Sequence, residues 1–235
     1  HAGPNRMAAA LAGLSAGQPD GRAEWYDAAR DAYLQSLLPP AQPGDVDMGV
    51  ITAHIQAQLP DDAIITHGAG NFAIWANKFM QFGRDQRMLG PQSGSMGFGV
   101  PAALAAKAHD SSRFVLCFAG DGDFQMNGTE LGTALQAGLH PVILILNNGS
   151  YGTIRMHQER EYPARVSGTE IVNPDYVALA GAYGFHGERV TRTNDFAAAY
   201  ARALAAPAGA IIEIVIDTEA IAPRSTISDL RAAAG

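Results

Sequence analysis

The chain has 235 residues, 47% of them hydrophobic and 17% charged, with 26 glycines and 13 prolines; this is a soluble globular composition that excludes a disordered or collagen-like chain and allows one large domain with appendages. A formal net charge of −7 without any block of Lys or Arg argues against a nucleic-acid binder. No apolar run reaches the ~18 residues that span a bilayer, and the start His1-Ala2-Gly3-Pro4 has neither an initiator Met nor a signal-peptide pattern, so the expectation is a cytoplasmic protein, no membrane contact, and a piece of a longer chain.

Residues 1–44 read as a linker arm with one helix over about 23–38, ended by Pro39-Pro40-Ala41-Gln42-Pro43-Gly44. Helices are then expected near 48–58, 71–80, 101–109, 127–137, 174–183 and 195–205. Strands are expected near 63–66, 113–119, 142–146, 185–190 and 210–216, and residues 218–235 form a tail. The run Val142-Ile143-Leu144-Ile145-Leu146 suits a strand buried on both faces, and the single cysteine, Cys117, sits in a similar run as a buried thiol. The alternation predicts an α/β fold over 45–217, a doubly wound, mainly parallel sheet with helices on both faces.

In such a sheet ligands bind outside the carboxyl ends of the strands. The segments there are His67-Gly68-Ala69-Gly70-Asn71-Phe72, Gly120-Asp121-Gly122-Asp123-Phe124 and Asn147-Asn148-Gly149-Ser150-Tyr151-Gly152. Two neighbouring strands would present the Asp121 carboxylate beside the Asn148 amide oxygen, and with a carbonyl of the Gly149-Ser150 turn these make a half-shell for a hard cation such as Mg²⁺, leaving room for a diphosphate. Amides of Gly122, Asp123 and Phe124 add donors for phosphate oxygens. Taken singly, Gly-Asp-Gly is also an ordinary turn and Asn-Asn an ordinary strand end. No G-x-G-x-x-G opens a helix and no Lys follows a glycine-rich turn, so nicotinamide and Walker-type ATP readings fail. Ser93 and Ser95 lack a nucleophile elbow, which disfavours a hydrolase.

The spacing of 24 residues between Gly122 and Asn147 resembles the signature of thiamine diphosphate enzymes, GDG followed after some two dozen residues by NN. The resemblance extends over most of 48–217, to the carboxyl-terminal, diphosphate-binding domain of acetolactate synthases and related 2-oxo acid decarboxylases. It implies thiamine diphosphate and Mg²⁺ as cofactors, with Asp121, Asn148 and the Ser150 carbonyl on the metal. Met96, in Gly94-Ser95-Met96-Gly97, matches the apolar wedge that bends the cofactor, and the Gly94 carbonyl matches the acceptor for its 4′-amino group. Gly70, Asn71 and Phe72 match a second diphosphate loop. Gly120, Gly122, Asp123, Tyr151, Gly152 and Thr153 complete the implied cofactor contacts.

In this family an activating glutamate comes from an amino-terminal pyrimidine-binding domain, usually of another subunit, and no glutamate of this chain stands in that motif. The resemblance therefore implies partner domains, a homodimer or tetramer, and a chain inactive by itself; FAD belongs to a middle domain of some relatives. Tyr151-Gly152-Thr153-Ile154 departs from the synthase pattern toward the decarboxylases, including benzoylformate or phenylpyruvate types. His157 stands where the synthases carry a tryptophan, either as a substrate-side proton donor or as a solvated residue. Arg155 and Arg160 read as carboxylate binders or as helix-surface ion pairs. A non-catalytic phosphate-binding α/β module is the rival reading.

Overall fold

The computed structural model describes residues 3–12 and 21–234. Positions 1–2 and 13–20 of the expected arm and position 235 of the expected tail lie outside them. The polypeptide divides into two compact units, His1–Leu38 and Pro39–Gly235. In the first, helices α1 (Pro4–Ala12) and α2 (Arg22–Ser36) bury no residue; α2 matches the helix expected over 23–38.

In the second unit, six strands form one parallel sheet: β1 (Ile64–His67), β2 (Arg87–Leu89), β3 (Val115–Gly120), β4 (Val142–Asn147), β5 (His186–Val190) and β6 (Ala210–Val215). Their order is β2-β1-β3-β4-β6-β5. Successive side chains alternate between two cores. Leu116, Phe118, Leu144 and Ile212 pack with Ile51 of α3 (Met48–Gln58), Trp75 of α4 (Ala73–Phe79) and Tyr200 of α10 (Phe196–Ala205). Val115, Cys117, Ile143 and Ile211 pack on the other face with Leu104 of α5 (Gly99–His109), Phe124 of α6 (Asp121–Asn127), Leu131 of α7 (Leu131–Ala137) and Tyr176 of α9 (Tyr176–Ala182). Cys117 is buried as expected, and burial pushes its thiol pKa up to about 12. No helix among the described residues is long and apolar enough to cross a membrane.

Local chemistry sets the helix ends. Asp47 Oδ1 accepts from Gly49 N at 2.7 Å to cap α3, and Asp175 Oδ1 accepts from Val177 N at 3.0 Å to cap α9. Gly138, at φ 64°, ends α7 in a left-handed turn. Four differences from the sequence reading stand out. The segment read as a loop at 120–124 is the last residue of β3 followed directly by the first turn of α6. The helix expected over 127–137 begins later, as α7, after a 3-10 turn at Gly128–Glu130 that follows α6. The stretch expected as a tail holds α11 (Ile227–Ala234), fastened to α8 (Gly152–Glu161). Strand β2 escaped the reading because its three residues are all exposed and carry no alternation.

The topology opens a crevice. From β1 the chain leaves through α4 on one face toward β2; from β3 it leaves through α6 on the other face toward β4. The connections diverge between adjacent parallel strands, which is the switch-point geometry where α/β sheets hold ligands.

Candidate cofactor site

A cleft lies at these strand ends, where parallel α/β sheets place their ligands. Its wall brings together Gly70, Asn71 and Phe72 after β1; Met96 before α5; Gly120, Asp121, Gly122 and Asp123 at the β3–α6 junction; and Asn148, Ser150, Tyr151, Gly152 and Thr153 after β4. Gly94 is not part of this wall: it is exposed, at φ 67°, with nothing within 4 Å of the place a Cβ would occupy.

Asp121 is 3% exposed. Its Oδ1 accepts from Gly122 N at 3.0 Å and its Oδ2 from Asn173 Nδ2 at 2.8 Å. Among the described residues no cationic side chain forms an ion pair with it. Burial therefore prevails over these hydrogen bonds and raises its pKa above the ordinary carboxylate range. Beside it, Asn148 Oδ1 accepts from Ser150 N at 3.1 Å, and Asn147 Oδ1 from Gly149 N at 3.0 Å. The turn is pinned from outside by Tyr151 N to Thr169 O at 2.8 Å and Ile171 N to Gly149 O at 2.9 Å. The Tyr151 ring lies over Gly122 so closely that a Cβ there would come within 2.5 Å of it.

Asp123 points elsewhere. Its Oδ1 accepts from Gly97 N at 2.8 Å and Ala69 N at 3.1 Å, so its carboxylate ties the loop after β1 to the loop carrying Met96. Burial raises its pKa too, the two amides opposing the shift.

Asn71 is held by protein partners: its N–H donates to Thr153 Oγ1 at 3.0 Å, Thr153 Oγ1 donates to Asn71 Oδ1 at 3.1 Å, and Asn71 Nδ2 donates to the Ile221 carbonyl at 2.7 Å. His157 is exposed. Arg155 is engaged by Glu159 at 2.7 Å, one helical turn on, in accord with an ion pair.

The family model described as thiamine pyrophosphate enzyme, C-terminal TPP binding domain, matches residues 68–214. The chain belongs to this family. Acetolactate synthase large subunit from Cyanidium caldarium is 32% identical over 164 residues, covering 69% of this chain and 28% of that protein. The corresponding subunit from Parasynechococcus marenigrum (strain WH8102) is 34% identical over 187 residues, covering 79% and 30%. Among solved structures, the Rhodococcus jostii RHA1 thiamine diphosphate-dependent 4-hydroxybenzoylformate decarboxylase is similar, with a TM-score of 0.67 at 32% identity over 76% of this chain and 34% of that one. The chain thus spans about three tenths of the length of these synthases.

The cleft of the thiamine pyrophosphate-binding domain is also lined by residues that the sequence reading did not place in the site. Trp75, Leu146, Ile154 and Ile216 line the cleft, as do residues 220–223, and the last group lies beyond the family match. Helix α11, which follows that group, is anchored by Glu159, 1% exposed, which accepts from Arg155 Nε, from Arg231 Nε and Nη2, and from Ala164 N. The i, i+4 spacing of Arg155 and Glu159 was one signal available in the sequence, but nothing there paired Glu159 with Arg231, 72 residues away. Arg231 above all holds the Glu159 carboxyl at about 2, below the ordinary 4.5. A depressed acid stabilises the fold fully above its unfolded pKa and loses that contribution as pH falls through the folded one. Docking of α11 is therefore expected to persist down to about pH 4.5 and to weaken between there and about pH 2. Hydrogen exchange of the α11 amides, corrected for intrinsic rate, checks this; Glu159→Gln should show the weakened state at neutral pH.

Proposed function

We propose that the domain binds thiamine diphosphate through Mg²⁺ and serves a 2-oxo acid carboligase or decarboxylase of the acetolactate synthase-like type. The observation that carries this reading is Asp121, a buried carboxylate at the switch point of a parallel sheet, without a cationic partner among the described residues and beside the Asn148 amide. The donor set fits the cation. One carboxylate, an amide oxygen and a backbone carbonyl, Asp121, Asn148 and Ser150 on the same wall, would make a hard-oxygen half-shell that suits Mg²⁺ and leaves positions for phosphate and water.

Asp121, Asn148 and the Ser150 carbonyl would hold the metal. Gly70, Phe72, Gly120, Gly122, Gly152 and Thr153 bring backbone and small side chains to the diphosphate, and Asn71 and Tyr151 fix the loops around it. Met96 stands in the wall as the apolar support for a bent cofactor, and Gly94, two residues before it, would offer its carbonyl to the 4′-amino group. When bound, thiamine diphosphate supplies the thiazolium nucleophile and the sink for electrons left by departing carbon dioxide. Trp75, Ile154, Ile216 and Ile221 give the remaining wall its apolar side chains.

The amino-terminal glutamate that activates the aminopyrimidine would come from another domain, in a dimer or tetramer, and FAD, where used, from a middle domain. The 235-residue chain alone is then expected to release no carbon dioxide from pyruvate. A benzoylformate-type decarboxylase is the second reading, favoured by Tyr151-Gly152-Thr153 and by likeness to the 4-hydroxybenzoylformate decarboxylase. Calorimetry tests the cofactor site: thiamine diphosphate should bind with Mg²⁺ and not after chelation. Equal binding in both conditions would overturn the metal clamp and favour a plain phosphate-binding module.

A further inference from the structure

Behind the cleft a directed polar chain runs across the sheet. Arg189 Nε donates to Glu213 Oε2 at 2.6 Å, and Glu213 Oε1 accepts from Asn147 Nδ2 at 2.7 Å. Arg189 can only donate, and the two oxygens of Glu213, 3% exposed, accept from Arg189 and Asn147. Asn147 therefore turns its amide oxygen the other way, toward Asn173 Nδ2 at 2.8 Å. The same nitrogen donates to Asp121 Oδ2 at 2.8 Å. On its far side, Asn173 Oδ1 accepts from Gln125 Nε2 at 2.7 Å and from the Tyr176 hydroxyl at 3.0 Å. Both donors and both acceptor positions of this one amide are thus in use, and reversing it would set oxygen against oxygen at two contacts.

We propose that Asn173 is a positioning residue for the cation, resting on the Mg²⁺ clamp described above. It grips both halves of that clamp. One hydrogen holds the Asp121 carboxylate; the other holds Asn147, whose Oδ1 also receives Gly149 N at 3.0 Å and so fixes the turn bearing Asn148 and Ser150. Partners that orient a metal ligand typically change metal affinity by about 10–100-fold when removed. Asn173 neither touches the diphosphate loops after β1 nor supplies charge, so its effect should fall on the cation.

The test titrates Mg²⁺ into the 235-residue chain at fixed thiamine diphosphate and measures unfolding of the cation-free protein alongside. Asn173→Asp places an acceptor against Asp121 and Asn147, and is expected to raise the Mg²⁺ midpoint at least about tenfold. Tyr176→Phe keeps the ring against Phe124 and removes a hydroxyl within reach of both the Asn173 amide oxygen at 3.0 Å and the Asp121 carbonyl at 3.2 Å; a rise of roughly two- to fivefold is expected. Should Asn173→Asp fail to fold, Tyr176→Phe carries the test. A purely structural role would lower the unfolding temperature and leave the midpoint of the folded protein unmoved, and that result overturns the proposal. Wild-type binding that ignores Mg²⁺ overturns the clamp itself, and the positioning role with it.

Discussion

Replacing Asp121 with alanine is expected to abolish Mg²⁺-dependent binding of thiamine diphosphate, with a loss of a hundredfold or more. The carboxylate is the one full negative charge on the wall positioned beside the Asn148 amide, and removing one member of a buried charge contact costs about 3–5 kcal/mol, which at ~1.4 kcal/mol per decade is roughly a hundred- to a thousandfold or more. The same burial makes a second, opposite expectation. Its pKa is raised by desolvation, so in the cation-free protein the ionised form costs stability above that pKa, and the cost lessens as pH falls. Asp121→Asn keeps an oxygen for Gly122 N and Asn173 Nδ2 while removing the charge. It should therefore unfold at the wild-type temperature or above it at neutral pH, yet bind no cofactor. Calorimetry and thermal unfolding measured on both variants check the pair; cofactor binding retained in Asp121→Ala would remove the carboxylate from the clamp.

Asp123→Ala should damage the fold instead. Its carboxylate gathers Gly97 N and Ala69 N, and each donor left without an acceptor costs about 1–3 kcal/mol where buried. Gly97 is buried and Ala69 half-buried, so a loss of about 2–4 kcal/mol is expected, read as a shift in denaturant midpoint. Asp123→Asn retains an acceptor oxygen and should lose less. Gly68→Ala reports on the same tie, because its Cβ would collide with Asp123 Oδ1 and push the carboxylate out of place. Met96, carried on the loop freed by either change, would lose its fixed position in the wall, and cofactor binding should weaken along with stability.

Much of this was readable from residue order because strand cores and helix faces follow hydrophobic period. The runs at 115–119 and 142–146 lie on both faces of the sheet as two interleaved cores. The Gly-Asp-Gly and Asn-Asn segments were legible as site loops because strand order places them side by side. What stayed hidden depends on contacts between distant positions. The role of Asp123 as a tie appears only when the loops at 69 and 97 are brought together. Asn173 gave no sign of meeting Asp121, 52 positions away. Helix α8 has one buried residue, Glu159, so no apolar stripe marked it. Helix α11 is held to α8 by the same buried acid, whose contacts are ionic and leave no period.

The two outer strands bear on how copies of this domain can meet. At one border β2 offers three backbone positions, led by Arg87, and at the other β5 carries His186, Glu188 and Arg189. An incoming strand gains few ladder bonds at the first and must desolvate charge at the second. Growth by strand addition is discouraged at both borders, which leaves neither edge of the sheet as a ready template for a second chain.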